Sequence, residues 1–200
     1  MKKILLTSFC VAFLSATAGA QLLSFNTTGN LGTETTEPSV FNNASVLPSS
    51  LTLGSITPSA NGNRFGGSNF FDAGDTNPTT LAESIAGNDY FQFIVTPAAA
   101  ATFTATSFVF SFDRSATGPN SLTLRSSVDN FASDLGSVIG LTASLTTNNT
   151  IALTTFNDVA SAVTFRLYGY GATASGGTGG FDTTINAPNV VLVQSLPPMQ

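Results

Sequence analysis

The sequence contains no histidine, no tryptophan and only one cysteine, and charged residues make up just 8% of its 200 positions. Without histidine, neither a Ser–His–Asp triad nor a Cys–His pair can be assembled. Zinc sites of the usual kind are excluded too, because their ligands are cysteine and histidine. A single cysteine cannot form a disulfide within the chain, so a hydrophobic core has to stabilise the fold. These absences exclude many hydrolases and metalloproteins.

The first twenty residues have the pattern of a secretory signal peptide. Lys2 and Lys3 give a positive start, residues 4–14 are mostly apolar, and residues 15–20 are small. This pattern predicts cleavage before Gln21 and a secreted protein, extracellular or at the cell surface. The apolar stretch is shorter than the roughly 20 residues that cross a bilayer as a helix, so we expect no membrane span in the mature chain. Cys10 lies inside that stretch, which argues against lipid attachment.

Cleavage of residues 1–20 would remove both lysines and the cysteine. The predicted mature chain then carries four arginines against eleven acidic residues, a net charge of −7. Nucleic acids and anionic membrane surfaces need clustered positive charge, so both are excluded as partners. The loss of lysine also excludes Schiff-base and Ser–Lys chemistry. With 42% hydrophobic residues and 17 phenylalanines, the composition indicates a folded domain rather than a disordered chain.

Alternating polar and apolar residues run through most of the chain. Phe91, Phe93 and Val95 share one face of the segment 89–95. A period of two residues predicts half-buried strands. The same period is found at 102–112, 122–128 and 163–168, and weaker strands are predicted at 22–26, 51–56, 136–145, 150–156, 180–185 and 189–194.

About ten short strands separated by Gly, Pro and Asn turns predict an all-β fold, an antiparallel β-sandwich of the jelly-roll kind. The spacing of Leu81 and Ile85 predicts one short helix over 80–86. We expect a single domain over 21–194 and a disordered tail at 195–200. Long loops, where binding sites tend to lie, are predicted at 27–48, 57–79 and 171–179.

Several segments resemble a recurring exported bacterial domain. They are FDRSATGP at 112–119, LRSSVDNF at 124–131, VTFRLYGYGA at 163–172 and GGT at 176–178, and the opening DYFQF at 89–93 fits as well. This pattern is similar to the PEP-CTERM (exosortase-sorted) proteins of Gram-negative bacteria. The resemblance implies a β-sandwich at the cell surface or in the extracellular matrix, and it implies no substrate.

Two departures from that family bear on the resemblance. The Pro-Glu-Pro, apolar helix and basic end that form the sorting signal are not found at 196–200. The sequence leaves open whether the chain is a fragment or a released member. The family's closing strand carries a tryptophan that has no counterpart in 180–185, so a binding role for that residue is not carried over.

Carboxylates are the one remaining type of catalytic group, and glycoside hydrolysis is the reaction that a pair of them can perform. The candidates are Glu83, Asp89, Asp113, Asp129 and Asp158. Nothing in the sequence pairs any two of them, and solvated surface acids are the plainer interpretation. We therefore predict that the protein is not an enzyme and has no catalytic residue.

One segment could hold calcium, the only cofactor that the sequence leaves open. Asp72, Asp75 and Asn77 place oxygen side chains around a glycine, and calcium binds six to eight oxygen ligands. The spacing does not match an EF-hand. Asp, Asn and Gly are also the residues of ordinary turns, which is the interpretation we favour.

A polar and aromatic patch is the candidate ligand-binding site. Alternation places Arg125 on the outer side of one strand, and Arg166, Tyr168 and Tyr170 on the outer side of another. If the two strands are neighbours, the tyrosine rings and the guanidinium groups could contact a sugar. Cross-strand packing of Tyr and Arg with Arg–Asp pairing explains the same residues without a ligand, and is the interpretation we favour.

These observations together predict a secreted, non-enzymatic β-sandwich with a structural or adhesive role at the bacterial cell surface or in the extracellular matrix. Extracellular polysaccharide or matrix components are the expected partners. A carbohydrate-binding module is the alternative, and a carboxylate-based glycosidase is a more distant one. The sequence leaves the oligomeric state open.

Overall fold

Antiparallel strands make up about half of the computed structural model, which describes residues 20–71, 77–183 and 187–195. One helix, α1 (Leu81–Gly87), and one 3-10 turn (Ser127–Asp129) accompany them. The strands in the described ranges are β1 (Ala20–Phe25), β2 (Thr36–Pro38), β3 (Phe41–Asn42), β4 (Ser50–Leu53), β5 (Thr57–Pro58), β6 (Arg64–Ser68), β7 (Tyr90–Val95), β8 (Phe103–Arg114), β9 (Ser121–Ser126), β10 (Leu135–Gly140), β11 (Thr147–Val159), β12 (Val163–Tyr170), β13 (Gly179–Asp182) and β14 (Val190–Gln194).

The strands form two sheets. Sheet A has the order β3-β1-β14-β8-β13-β6-β5, and β11 also pairs with β8. The long strand β8 pairs with β14 at its centre and with β13 at its end. Sheet B has the order β10-β9-β12-β7-β4-β2. Every pairing in both sheets is antiparallel among the residues described.

Eight of the strands have the order of a jelly roll. Counted along the chain, β1, β7, β8, β9, β10, β11, β12 and β14 are the first to the eighth. In sheet A the neighbouring strands β1, β14, β8 and β11 are then numbers 1, 8, 3 and 6 of this count. In sheet B the neighbouring strands β7, β12, β9 and β10 are numbers 2, 7, 4 and 5. This order results from two interlocked Greek keys. The prediction of an antiparallel jelly-roll sandwich is confirmed, and the short additional strands extend its two sheets.

Phenylalanine fills the space between the sheets. Phe108 and Phe112 of sheet A alternate with polar residues along β8 and are buried. Across the gap, the ring centroid of Phe93 lies 5.3 Å from that of Phe108, and Phe91 lies 5.5 Å from Phe112. Phe165 stacks on Phe93 at 5.2 Å within sheet B. The alternation seen in the sequence therefore corresponds to the buried faces of the two sheets.

Helix α1 is confirmed within one residue of its predicted bounds. A capping box starts it, because the Thr80 hydroxyl accepts the backbone N–H of Glu83 while the Glu83 carboxylate accepts the N–H of Thr80. Asn88 ends it in the left-handed conformation, with φ at 63°. The helix packs against β12, and the Ser84 hydroxyl donates to the Gly169 carbonyl at 3.0 Å. It therefore covers part of the outer face of sheet B.

Two of the predicted long loops contain strands. The segment 27–48 includes β2 and β3, and the segment 57–79 includes β5 and β6. Strand β6 was missed because it is RFGGS, with little alternation. It lies so close to β13 that a Cβ on Gly66 would meet the Gly179 carbonyl oxygen at 2.4 Å. Glycine serves here to bring two backbones together rather than to form a turn.

Three predictions fall outside the described residues. These are the signal peptide predicted at 1–20, of which only Ala20 is described, the Asp72 and Asp75 pair, and the tail predicted at 195–200, of which only Ser195 is described. All three stay predictions. Within the described ranges, no helix is long and apolar enough to cross a membrane.

Candidate functional site

The outer face of sheet B brings the two predicted arginines together. Strands β9 and β12 are neighbours, and Arg166 lies directly opposite Arg125 in their register. Gln92 of β7 lies opposite Arg166 on the other side. The condition on which the patch depends, that these two strands are neighbours, is therefore met.

Arg166 is held between two aromatic rings. Its guanidinium carbon lies 4.2 Å from the ring centroid of Tyr90 and 4.1 Å from that of Phe131. Its Nε donates to the Gln92 Oε1 at 2.9 Å. A cation between two ring faces is attracted by both, and the planar guanidinium group also stacks on them. The arginine and the two rings therefore form a layered stack on the sheet.

A left-handed turn places Phe131 over the sheet. Asn130 and Phe131 both have positive φ, at 58° and 59°. The Phe131 N–H donates to the Ser126 carbonyl at 2.8 Å, which folds the chain back after the 3-10 turn. Phe131 follows the last residue of β9 by five positions, and this turn brings its ring onto the guanidinium group of Arg166. Nothing in the local sequence marks this residue as part of the patch.

Arg125 is paired within its own loop. Its Nε lies 2.6 Å from the Asp134 Oδ1, and its Nη1 donates to the Phe131 carbonyl at 2.9 Å. Both guanidinium groups of the patch are thus engaged by the protein itself. This is the cross-strand packing with Arg–Asp pairing that the sequence favoured over a sugar site.

The two tyrosines of β12 differ from expectation. Tyr168 lies opposite Tyr90, on the outer side of the strand as predicted, but its side chain is covered and only 1% exposed. It packs edge-on against Tyr90, with 5.4 Å between the ring centroids, on the strand that α1 covers. Tyr170 lies opposite Ser121 at the end of the strand and is half-buried. Tyr90 replaces Tyr168 in the patch, and its alternation with Gln92 could have indicated this.

A cleft lies beside the patch, at the seam where β9 and β10 of sheet B approach β11 of sheet A. We call it the seam cleft, and its volume is about 310 Å³. It is lined by Ser126, Val128, Asp129, Ser133, Asp134, Leu135, Gly136, Ala152, Leu153, Thr154 and Thr155. A bulge in β11 shapes one wall, since the stretch from Ala152 to Phe156 lies opposite only Ser107 to Ala105 of β8. No residue on this bulge was predicted as part of a site.

Both carboxylates of the seam cleft have internal partners. Asp134 is the partner of Arg125. Asp129 accepts the backbone N–H groups of Ala132 at 3.2 Å and Ser133 at 2.9 Å. Burial opposes ionisation of Asp129, but these hydrogen bonds outweigh it and lower its pKa. The lowered pKa favours the charged form of Asp129, and the partners of both carboxylates fix their positions.

The other candidate carboxylates are held by separate local contacts. Glu83 belongs to the capping box, whose hydrogen bonds from Thr80 lower its pKa. Asp89 is buried and accepts the hydroxyl of Ser55. Asp113 pairs with Arg64 at 3.0 Å on sheet A. Asp158 is exposed at a second bulge of β11.

The calcium prediction is only partly within the described chain. Asn77 is exposed, while Asp72 and Asp75 are outside the described residues. Elsewhere in the described ranges, no group of three or more acidic, histidine or cysteine side chains could hold a metal ion. Calcium at 72–77 stays a prediction.

Comparison with known proteins found no family model, no curated protein and no solved structure that matches this chain. The fold defines the class: an antiparallel jelly-roll β-sandwich. The stacked patch and the seam cleft are the features from which a function has to be argued.

Replacing Phe131 by alanine should lower the free energy of unfolding by about 1–2 kcal/mol, because one face of the Arg166 guanidinium loses its ring. Urea unfolding measures the change. Val128→Ala is the matched control in the same segment, since Val128 is 65% exposed, and it should change stability by less than about 0.5 kcal/mol. Equal changes in the free energy of unfolding for the two variants would show that Phe131 does not stabilise the fold by stacking on Arg166.

Proposed function

We propose that this is a secreted, non-enzymatic β-sandwich with a structural or adhesive role at the bacterial cell surface or in the extracellular matrix. The observation that carries the proposal is the stacked patch. Arg125 and Arg166 are fixed by Asp134, Phe131 and Tyr90. Ordered side chains lose little entropy when a partner binds, so the outer face of sheet B is suited to hold a partner.

The chemistry of the chain supports an extracellular partner rich in hydroxyl groups. The predicted mature chain has few charges and a net charge of −7. Ser, Thr and Asn side chains both donate and accept hydrogen bonds, as sugar hydroxyls do. The resemblance to PEP-CTERM proteins agrees with this setting, and we propose it as the protein's relationship.

Export is tested first, in the bacterium that makes the protein. Mass spectrometry of the extracellular and surface fractions should find a chain that begins at Gln21. A replacement of Lys2 and Lys3 by glutamate should keep the chain inside the cell, because the positive start of the signal is lost. An intracellular wild-type chain that still carries residues 1–20 would contradict the proposal.

Retention in the matrix is tested next with the full exported protein. We expect it to co-sediment with isolated extracellular polysaccharide and to release no sugar from chromogenic glycosides. Failure to co-sediment with any matrix fraction would contradict the adhesive role. Sugar release that is abolished by replacing one carboxylate would show that the protein is a glycosidase instead.

A carbohydrate-binding module is the second candidate. It is favoured by one observation: the seam cleft is adjacent to the stacked patch, since Asp134 lines the cleft and pairs with Arg125. Under this alternative the protein would recognise a defined sugar instead of holding a matrix through its whole surface.

A further inference from the structure

We propose that the seam cleft binds a neutral saccharide of one or two rings. The inference goes beyond the patch that the sequence indicated, and it rests on the second candidate function, the carbohydrate-binding module. A volume of about 310 Å³ is at the lower end of the roughly 300–1,000 Å³ typical of small-molecule sites. It suits a short sugar better than a long polymer segment.

The hydroxyl groups of the cleft carry the argument. Ser126 lines the cleft and is 2% exposed, and its side chain does not cap the 3-10 turn that follows it. The Ser126 Oγ is not among the enclosed side-chain atoms without a hydrogen-bond partner in the described residues. Water can therefore reach it, and a ligand hydroxyl could take the place of that water. Thr154 and Thr155, in the bulge of β11, also line the cleft. A ligand that both donates and accepts hydrogen bonds fits this lining.

The charges of the cleft exclude an acidic ligand. Asp129 and Asp134 both line it, and Arg125 is already paired with Asp134. A uronic acid or a phosphate would place its charge against these carboxylates. A neutral sugar can instead donate its hydroxyls to the carboxylate oxygens, which are strong acceptors.

The shape of the cleft is fixed by the backbone. Gly136 has a left-handed φ of 66°, and a Cβ there would meet the Ile151 Cγ2 at 2.7 Å. Gly136 lies within the bulge of β10, and Ile151 directly precedes the first bulge of β11. Val128 and Leu135 add apolar surface for the C–H groups of a sugar ring. The cleft is therefore formed before any ligand binds.

The test uses the exported protein, titrated by NMR and calorimetry with glucose, galactose, mannose, N-acetylglucosamine, cellobiose and galacturonic acid. We expect at least one neutral sugar to bind and to shift the signals of Ser126 and Thr154. Ser126→Ala and Thr154→Val should each weaken binding by about two- to tenfold, as expected for one hydrogen bond. Binding should be unchanged by EDTA.

A substitution that fills the cleft tests the site more directly than the loss of one hydroxyl group. Ala152 is exposed and lines the cleft, so Ala152→Trp should abolish binding without altering the core. Ala162→Trp is the matched control, because Ala162 is also exposed and does not line the cleft. It should bind as the wild type does. Thr154→Val tests the same site if Ala152→Trp does not fold.

Four results would overturn the inference. They are the absence of binding by every neutral sugar, binding by galacturonic acid alone, binding that EDTA abolishes, and binding that Ala152→Trp leaves intact. If the protein still co-sediments with matrix while no sugar enters the cleft, the proposed function stands and this inference fails. If the wild type does not co-sediment, the adhesive role fails whatever the cleft binds.

Discussion

Replacing Phe91 by alanine is expected to lower the free energy of unfolding by about 3–5 kcal/mol. Phe91 is 1% exposed and lies at the centre of the core. Its ring centroid is 4.9 Å from that of Phe181, 5.5 Å from Phe112, 6.3 Å from Phe70 and 6.4 Å from Phe65. The substitution leaves a cavity that the rings of two sheets cannot close, and the predicted mature chain has no disulfide to offset the loss.

Urea unfolding followed by circular dichroism measures this change, since the chain has no tryptophan for fluorescence. Phe41→Ala is the control, because Phe41 is 42% exposed on the edge strand β3, and it should cost less than about 1 kcal/mol. Phe91→Leu should fall between the two, because it keeps most of the buried volume. A cost of Phe91→Ala no larger than that of Phe41→Ala would show that the core lies elsewhere.

The core could be predicted from the sequence because its signal is local. Phe91 and Phe93 on β7, and Phe108, Phe110 and Phe112 on β8, recur at every second residue. This period is the same whether the partner strand is known or not. The capping residues Thr80 and Glu83 are also local, which is why helix α1 was placed correctly.

Strands that depend on distant contacts were harder to predict. The backbone of β6 at Gly66 is accommodated by Gly179 and Gly180 of β13, more than a hundred residues away. Glycine in a sequence usually indicates a turn, so the sequence predicts a loop for the whole segment. The bulges of β10 and β11 also depend on pairing with distant strands, so the local sequence does not predict them. The seam cleft, which they shape, is not predicted either.

The candidate site was only half predictable. Alternation placed Arg125 and Arg166 correctly on the outer face of sheet B. It also placed Tyr168 there, but it could not show that helix α1 packs over that strand. Phe131 enters the patch through a left-handed turn, a conformation that its residue type does not indicate. An outward position on a strand is therefore not the same as exposure.

Arg64 carries the second large prediction, because it is a buried cation on the outer face of sheet A. It is 3% exposed, and its Nε lies 3.0 Å from the Asp113 Oδ1. The two atoms are not aligned for a hydrogen bond, and the Nη2 has no hydrogen-bond partner among the described residues. The side chain reaches Asp113 by lying across Gly180, where a Cβ would meet the Nε at 2.6 Å.

Arg64→Met is expected to lower the free energy of unfolding by about 3–5 kcal/mol near pH 7, because it leaves the half-buried carboxylate of Asp113, 19% exposed, without its cation. Arg64→Met combined with Asp113→Asn should recover at least about 1 kcal/mol of that loss, since no buried charge is then unpaired. Urea unfolding of the wild type, both single variants and the double variant gives the coupling energy.

A separate variant tests the path of the arginine without removing a charge. Gly180→Ala should cost about 1–3 kcal/mol, because the added Cβ displaces Arg64. Gly176→Ala is its control, since a Cβ at Gly176 meets nothing within 4 Å. Equal stability of these two variants would show that the position of the Arg64 side chain does not depend on the missing Cβ at Gly180.

The pH dependence of Arg64→Met has a definite sign. Burial raises the pKa of Asp113, Arg64 lowers it and Asp182 raises it, so the pKa lies above its ordinary value. A carboxyl with a raised pKa stabilises the fold in its protonated form, and that contribution is lost as the pH rises through the folded-state pKa. Removing Arg64 raises the pKa further. The cost of Arg64→Met relative to the wild type should therefore be largest near pH 7 and smaller at about pH 4, and a cost that is constant with pH would show that Asp113 is not ionised beside Arg64.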